Sequence, residues 1–115
     1  MKVTIFQDIY KKNKDDAHVI QLSTALRRIK EGQSQHVIEA IRDGSKDFKK
    51  KLPVVLFSGE FEARNDEALE KHSQFIVLDF DHINVEASKA VLSTDPYVYS
   101  CWVSPSGDGL KALVK

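Results

Sequence analysis

The chain has 115 residues, enough for one compact domain, and its 42% hydrophobic and 30% charged residues place it among folded globular proteins rather than disordered tails. Lys plus Arg and Asp plus Glu stand at 17 each, so the formal net charge is zero, which removes the bulk electrostatic signature of a nucleic-acid binder and leaves only a local basic patch to look for. The single cysteine, Cys101, excludes an internal disulfide and a cysteine-rich metal site, and reads as a buried inert thiol.

In chain order, MKVTIFQDIY opens with no apolar leader before the polar run KKNKDD, and no later stretch approaches the roughly 18 apolar residues of a membrane span. A cytoplasmic protein with no membrane partner is expected. Residues 3–6, VTIF, predict a first strand. Asp16 is placed to cap a helix over 17–31, where Val19, Ile20, Leu22, Leu26 and Ile29 recur at helical spacing and Gly32 stands at the stop. Ser34 is placed to cap a second helix with Val37, Ile38, Ile41 and Phe48 on its apolar side and Gly44 as an interruption. Lys46, Lys49, Lys50 and Lys51 form the one basic cluster. Its simplest reading is a solvated helix end, where cations offset the carbonyl dipole; phosphate binding is the alternative.

After this cluster LPVVLF predicts a buried strand, SGEFEARND a turn, and EALEKHS a short helical or irregular link. FIVLDFD predicts the next strand, with its apolar run from Phe75 to Leu78 buried. Asn84 caps a helix over VEASKAVLST, which Asp95-Pro96 ends. YVYSCWVS predicts a strand with Tyr97, Tyr99, Cys101 and Val103 on one face and Val98, Ser100 and Trp102 on the other. PSGDG is a tight turn and LKALVK the partner strand. The expected fold is α+β, a mixed β-sheet with helices packed on it, over a single domain of residues 1–115 that ends in a β-hairpin. Because residue 115 falls inside an expected strand, the domain is expected to be the amino-terminal part of a longer protein.

Three stretches carry candidate chemistry. In LDFD, Asp79 and Asp81 lie two apart on a strand and project from one face, with Phe80 turned the other way. Like charges this close repel and call for a cation between them. Two hard oxygen donors suit Mg²⁺ or Mn²⁺, which fill their remaining positions with water and substrate phosphates; the bland alternative is two acids ending a strand in solvent. In SPSGDGLK, Gly107 and Gly109 permit close approach of a phosphate to backbone amides, Ser104 and Ser106 offer hydroxyls, and Lys111 supplies a point charge. The alternative is an ordinary hairpin turn. In FSGEFEAR, Arg64 is placed either to meet a triphosphate or the two aspartates, or to make a surface ion pair with Glu60 or Glu62. His72 and His82, which flank the LDFD strand, read as structural, and Trp102 and the tyrosines as core or sheet-face residues.

KLPVVLFSGEFEAR, HSQFIVLDFDHI and DPYVYSCWVSPSGDGLKALVK together resemble the VirE amino-terminal type of domain, related to primase-polymerases of the archaeo-eukaryotic primase superfamily; the resemblance spans about residues 51–115. It implies a primase-polymerase-like core in which Asp79 and Asp81 are the acid pair that binds the catalytic divalent metals. SPSGDGLK takes the place of the strand–turn–strand that contacts nucleotide phosphates, with Lys111 where a histidine is usual. A third acidic motif on a later strand has no counterpart before residue 115. The implied function is the metal- and nucleotide-binding portion of a primase-polymerase-like module of a mobile-element replication protein, working by two-metal nucleotidyl transfer. Its implied partners are a nucleoside triphosphate, a DNA template and a helicase domain in the same or a partner chain. Asp79 and Asp81 would hold Mg²⁺ or Mn²⁺. Ser104, Ser106, Gly107, Gly109 and Lys111 would cradle the triphosphate, and Arg64 would stabilise charge. Two alternatives stand beside it: a non-catalytic DNA-binding or assembly domain that retains the fold, and a phosphatase of the haloacid dehalogenase type, which also uses a strand ending in DxD.

Overall fold

The computed structural model describes all 115 residues, and the chain divides into two compact units, Met1–Gln74 and Phe75–Lys115. Together they hold eight strands in three small sheets and three α-helices, so the fold is α+β. Every strand pairing is antiparallel. Three separate antiparallel sheets thus replace the single mixed sheet expected.

In the amino-terminal unit, β1 (Lys2–Phe6) lies between β2 (His18–Gln21) and β3 (Val54–Leu56). Val3 and Phe6 of β1 are fully buried, with Leu22, Ala25, Ile41 and Phe57 completing the core. Thr4 is buried too. Its hydroxyl donates to the Gly59 carbonyl at 3.0 Å and accepts from the Phe61 amide at 2.8 Å, tying β1 to β4 (Gly59–Phe61). A second sheet pairs β4 with β5 (Leu69–His72). Two expectations fail in this unit. The helix expected over 17–31 begins only at Leu22, as α1 (Leu22–Lys30), because His18–Gln21 pairs with β1 in the register Val3↔Ile20. The β-branched Val19 and Ile20 take ladder hydrogen bonds that a helix would have had to forgo. Likewise, residues expected as a turn and an irregular link are β4 and β5.

The helix α2 (Gln35–Arg42) follows. Both α1 and α2 end in the same motif. The amide two residues past each cap reaches the third-last helical carbonyl (Gln33 to Arg28, Ser45 to Ala40), with Gly32 and Gly44 at positive φ between. Gly44 therefore terminates α2 rather than interrupting it. The 3₁₀ turn Lys46–Lys51 begins beyond it and packs on α2, carrying Phe48 off the helix face on which it was expected.

The carboxy-terminal unit has one sheet, ordered β6 (Ile76–Phe80), β8 (Leu110–Val114), β7 (Val98–Val103). Both outer strands run antiparallel to β8 and therefore parallel to each other, and α3 (Val85–Leu92) joins them: a βαβ unit with β8 inserted between its strands. Asn84 caps α3 as expected, its side-chain oxygen accepting from the Ala87 amide at 3.0 Å. Phe75, Leu110, Ala112 and Leu113 form the core. A register shift between Val98 and Ser100 makes Tyr99 an extra residue in β7. Val98 consequently shares a face with Cys101, not with Ser100 and Trp102.

The largest departure is β6. The apolar run reads as a buried strand, yet Ile76, Val77 and Leu78 are 53%, 37% and 40% exposed. The cause is position: β6 is an edge strand, and α3, which covers the other edge strand β7 and the central β8, does not pack over it. No helix of the chain is long and apolar enough to cross a membrane.

Candidate functional site

The split βαβ arrangement decides what meets. Since β6 and β7 run in the same direction, the end of β6 and the β7–β8 turn lie at the same end of the sheet. Register then sets Asp79 of β6 opposite Lys111 of β8, with Trp102 of β7 opposite Lys111 on the other side. Asp79, Lys111 and Trp102 thus form a row on one face. The Lys111 ammonium donates to Asp79 Oδ1 at 2.6 Å, from a half-buried position on the central strand. A lysine on the middle strand of a sheet loses much of its hydration, and the charge-assisted bond to Asp79 offsets that loss.

Beyond the strand, Asp81 and His82 meet the turn. His82 has φ 53°, a left-handed conformation that turns the chain out of β6. Its Nδ1 lies 2.9 Å from Asp108 Oδ2, and the next amide, Ile83, donates to the Asp108 carbonyl. The Ser106 hydroxyl donates to the other carboxylate oxygen of Asp108 at 2.7 Å, and Ser104 Oγ lies 3.1 Å from Ser106 Oγ. The Ser106 hydroxyl bond is the largest influence on the Asp108 carboxyl; desolvation opposes it, and the charge of His82 adds to it, so that the carboxyl is held below its usual range. Gly109 owes its identity to packing. A Cβ there would fall inside contact distance of the Phe80 carbonyl oxygen and 3.3 Å from Asp81 Oδ1. Its lack of a side chain is accounted for by the seat against β6, and Gly107 takes the positive φ of the turn itself.

The fold therefore gathers Asp79, Asp81, Ser104, Ser106, Gly107, Gly109 and Lys111 at one sheet end. Arg64 belongs to the other unit, where its guanidinium donates to the Ile9 carbonyl at 2.7 Å. The ion pair expected for it is made by Lys14 instead, to Glu62 at 2.7 Å. His82 and Asp108 are the residues that sequence reasoning missed as site members. They are 26 positions apart, and only the close seating of Gly109 brings them together. Trp102 is the third, placed by register alone.

For a divalent cation, the donor set is two exposed carboxylates, Asp79 near the end of β6 and Asp81 just past it, the first already bonded to an ammonium. No group of three or more His, Cys, Asp or Glu side chains is arranged to hold a metal. Two carboxylates fit the mode in which Mg²⁺ takes one or two protein oxygens and completes its shell from phosphates and water.

No curated protein and no solved structure matches the chain. A family model does, over residues 47–115, which contain β6, the β7–β8 turn and every residue of the gathered site. By that match the chain belongs to the BT4734-like, N-terminal domain family.

Proposed function

We propose that the carboxy-terminal unit binds the phosphates of a nucleoside triphosphate together with a divalent cation, as the metal- and nucleotide-binding portion of a primase-polymerase-like module in a mobile-element replication protein. One observation carries the reading: a central-strand lysine is bonded to the first acid of the LDFD pair while the second acid abuts the glycine-rich turn. Acids, ammonium and hydroxyl-bearing turn are the components of a metal–phosphate site, and they share one sheet end. Asp79 and Asp81 would hold Mg²⁺ or Mn²⁺, which when bound offsets phosphate charge and orients its oxygens. Lys111 is a cation with two possible anionic partners, the Asp79 carboxylate and an incoming phosphate. Ser106 presents a hydroxyl at the mouth of the turn, oriented by Asp108. A DNA template and a helicase domain remain the expected partners of the wider module.

The test is thermal unfolding with Mn²⁺ and a nucleoside triphosphate, added separately and together. A joint midpoint rise of roughly 5 °C at about ten times Kd is expected for the natural chain, and no joint rise for the Asp79→Asn/Asp81→Asn variant. The exposed outer edge of β6 favours a second reading, a non-catalytic assembly module that retains the fold. An absence of any shift in both proteins would select it. The phosphatase alternative assigns no part to the glycine-rich hairpin, which in this fold seats directly on Asp81.

A further inference from the structure

The basic cluster of the amino-terminal unit plays no part in the phosphate site. The 3₁₀ turn Lys46–Lys51 carries four lysines against one aspartate, Asp47, a net charge of +3 within six residues of a chain that is neutral overall. The excess is therefore local. All four lysines are exposed, and none lies within ion-pair distance of a carboxylate; the chain's lysine ion pairs are Lys14–Glu62 and Lys111–Asp79. In a 3₁₀ turn residues three apart eclipse, so Lys46 and Lys49 stand on one ridge, Asp47 and Lys50 on the next, and Phe48 and Lys51 on the third. Phe48 sits among them, half-buried, with the Lys51 ammonium 4.2 Å from its ring centroid. A solvated helix end explains unpaired lysines. It does not explain a half-buried aromatic ring with a lysine ammonium, rather than an apolar side chain, over one of its faces. Four cations flanking one aromatic platform is the composition that takes a polyanion with unstacked bases: the ammoniums follow the phosphates and the ring accepts a base face.

We infer that Lys46–Lys51 is a contact surface for single-stranded nucleic acid, with Lys46, Lys49, Lys50 and Lys51 on the phosphates and Phe48 under a base. The surface lies within the amino-terminal unit, so it stands or falls independently of the triphosphate site. Duplex offers the same phosphates but no free base faces. An anionic membrane offers charge without either.

The test is fluorescence anisotropy of the full chain with a fluorescein-labelled 20-nucleotide oligodeoxythymidine, and with oligouridine of the same length, from 50 to 200 mM KCl. Four phosphate contacts give a log–log salt slope of about −3, hence about a 50-fold loss over that range. Replacing the four lysines by glutamine is expected to weaken binding by about tenfold or more at 50 mM and to flatten the slope, whereas replacing them by arginine retains both. Phe48→Leu keeps the apolar volume and removes the π face; it is expected to weaken binding by about tenfold with the slope unchanged. Lys11→Gln/Lys12→Gln/Lys71→Gln/Lys89→Gln, which removes the same charge elsewhere, is expected to leave most of the affinity. Circular dichroism establishes that each variant is folded. Binding of either oligonucleotide with this pattern supports the proposal. It is overturned by no binding at 50 mM KCl, by equal loss in the two quadruple glutamine variants, by a Phe48→Leu variant that binds like the natural chain, or by tighter binding to a duplex of equal length or to phosphatidylserine vesicles.

Discussion

The two units build three-stranded sheets on the same plan, a central strand antiparallel to both neighbours, and they differ in what the central strand carries. β1 carries a buried threonine, and both hydrogen-bonding functions of its hydroxyl are used by backbone atoms of β4. β8 carries a lysine, and its ammonium is held by a carboxylate of the edge strand. The first device consumes its polar group in holding sheets together. The second leaves a charge, and an adjacent acid, at a surface where a ligand can compete for them. A satisfied hydroxyl is the cheaper way to occupy a central strand. A lysine there marks the sheet end on which chemistry is to be sought, and the edge strand beside it is correspondingly poor in burial.

The contrast is sharpest between β8 and β6. Leu113→Ala, at a fully buried position, is expected to cost about 3 kcal/mol in urea unfolding, while Leu78→Ala on the exposed edge costs less than about 1 kcal/mol. Equal costs would mean that β6 is covered in solution. Gly109→Ala forces the turn away from the Phe80 carbonyl and is expected to cost about 2–3 kcal/mol by the same measurement. It also separates His82 from Asp108, so their nuclear Overhauser contacts vanish. In the other unit, Thr4→Val strands the Phe61 amide and is expected to cost about 1–2 kcal/mol, with Thr4→Ser nearly neutral. A Thr4→Val variant as stable as the natural chain would show that β1 does not depend on its polar group.

The smallest effect concerns Asp108. Because its folded carboxyl titrates below the ordinary value, its contribution to stability is complete above about pH 3.9 and is lost as pH falls through the lowered folded value. Carbon-detected NMR titration should find Asp108 as a low-titrating carboxylate. Ser106→Ala should move it upward more than His82→Gln does, since the hydroxyl bond is the larger cause. The reverse order would place the imidazole first.

Much of this site is legible along the chain because its parts are local. The two-residue spacing in LDFD brings Asp79 and Asp81 together at the end of a strand whatever the partner strand, and Ser-Gly with Asp-Gly makes a turn between two strands anywhere. Asn84 caps α3 through a bond three residues away. Other features depend on partners distant in sequence. Val19 and Ile20 fall at helical spacing although their β-branching favours a strand, and β1, some 16 positions earlier, supplies the partner that decides for the strand. An apolar run such as residues 75–78 predicts burial, which Phe75 meets and residues 76–78 do not, because whether a strand lies inside a sheet or on its edge, and what packs over it, is settled by distant partners.

The sequence alone determined the α+β class, the glycine stop of the first helix, the closing hairpin and the acid pair, since each follows from propensity or spacing within a few residues. The tertiary structure decided the rest. The order β6-β8-β7 put Lys111 between Asp79 and Trp102, seated Gly109 on Phe80 and Asp81, and joined His82 to Asp108. Register and strand order are long-range properties, fixed by which strands share hydrogen bonds, and a one-dimensional pattern of residue types does not contain them.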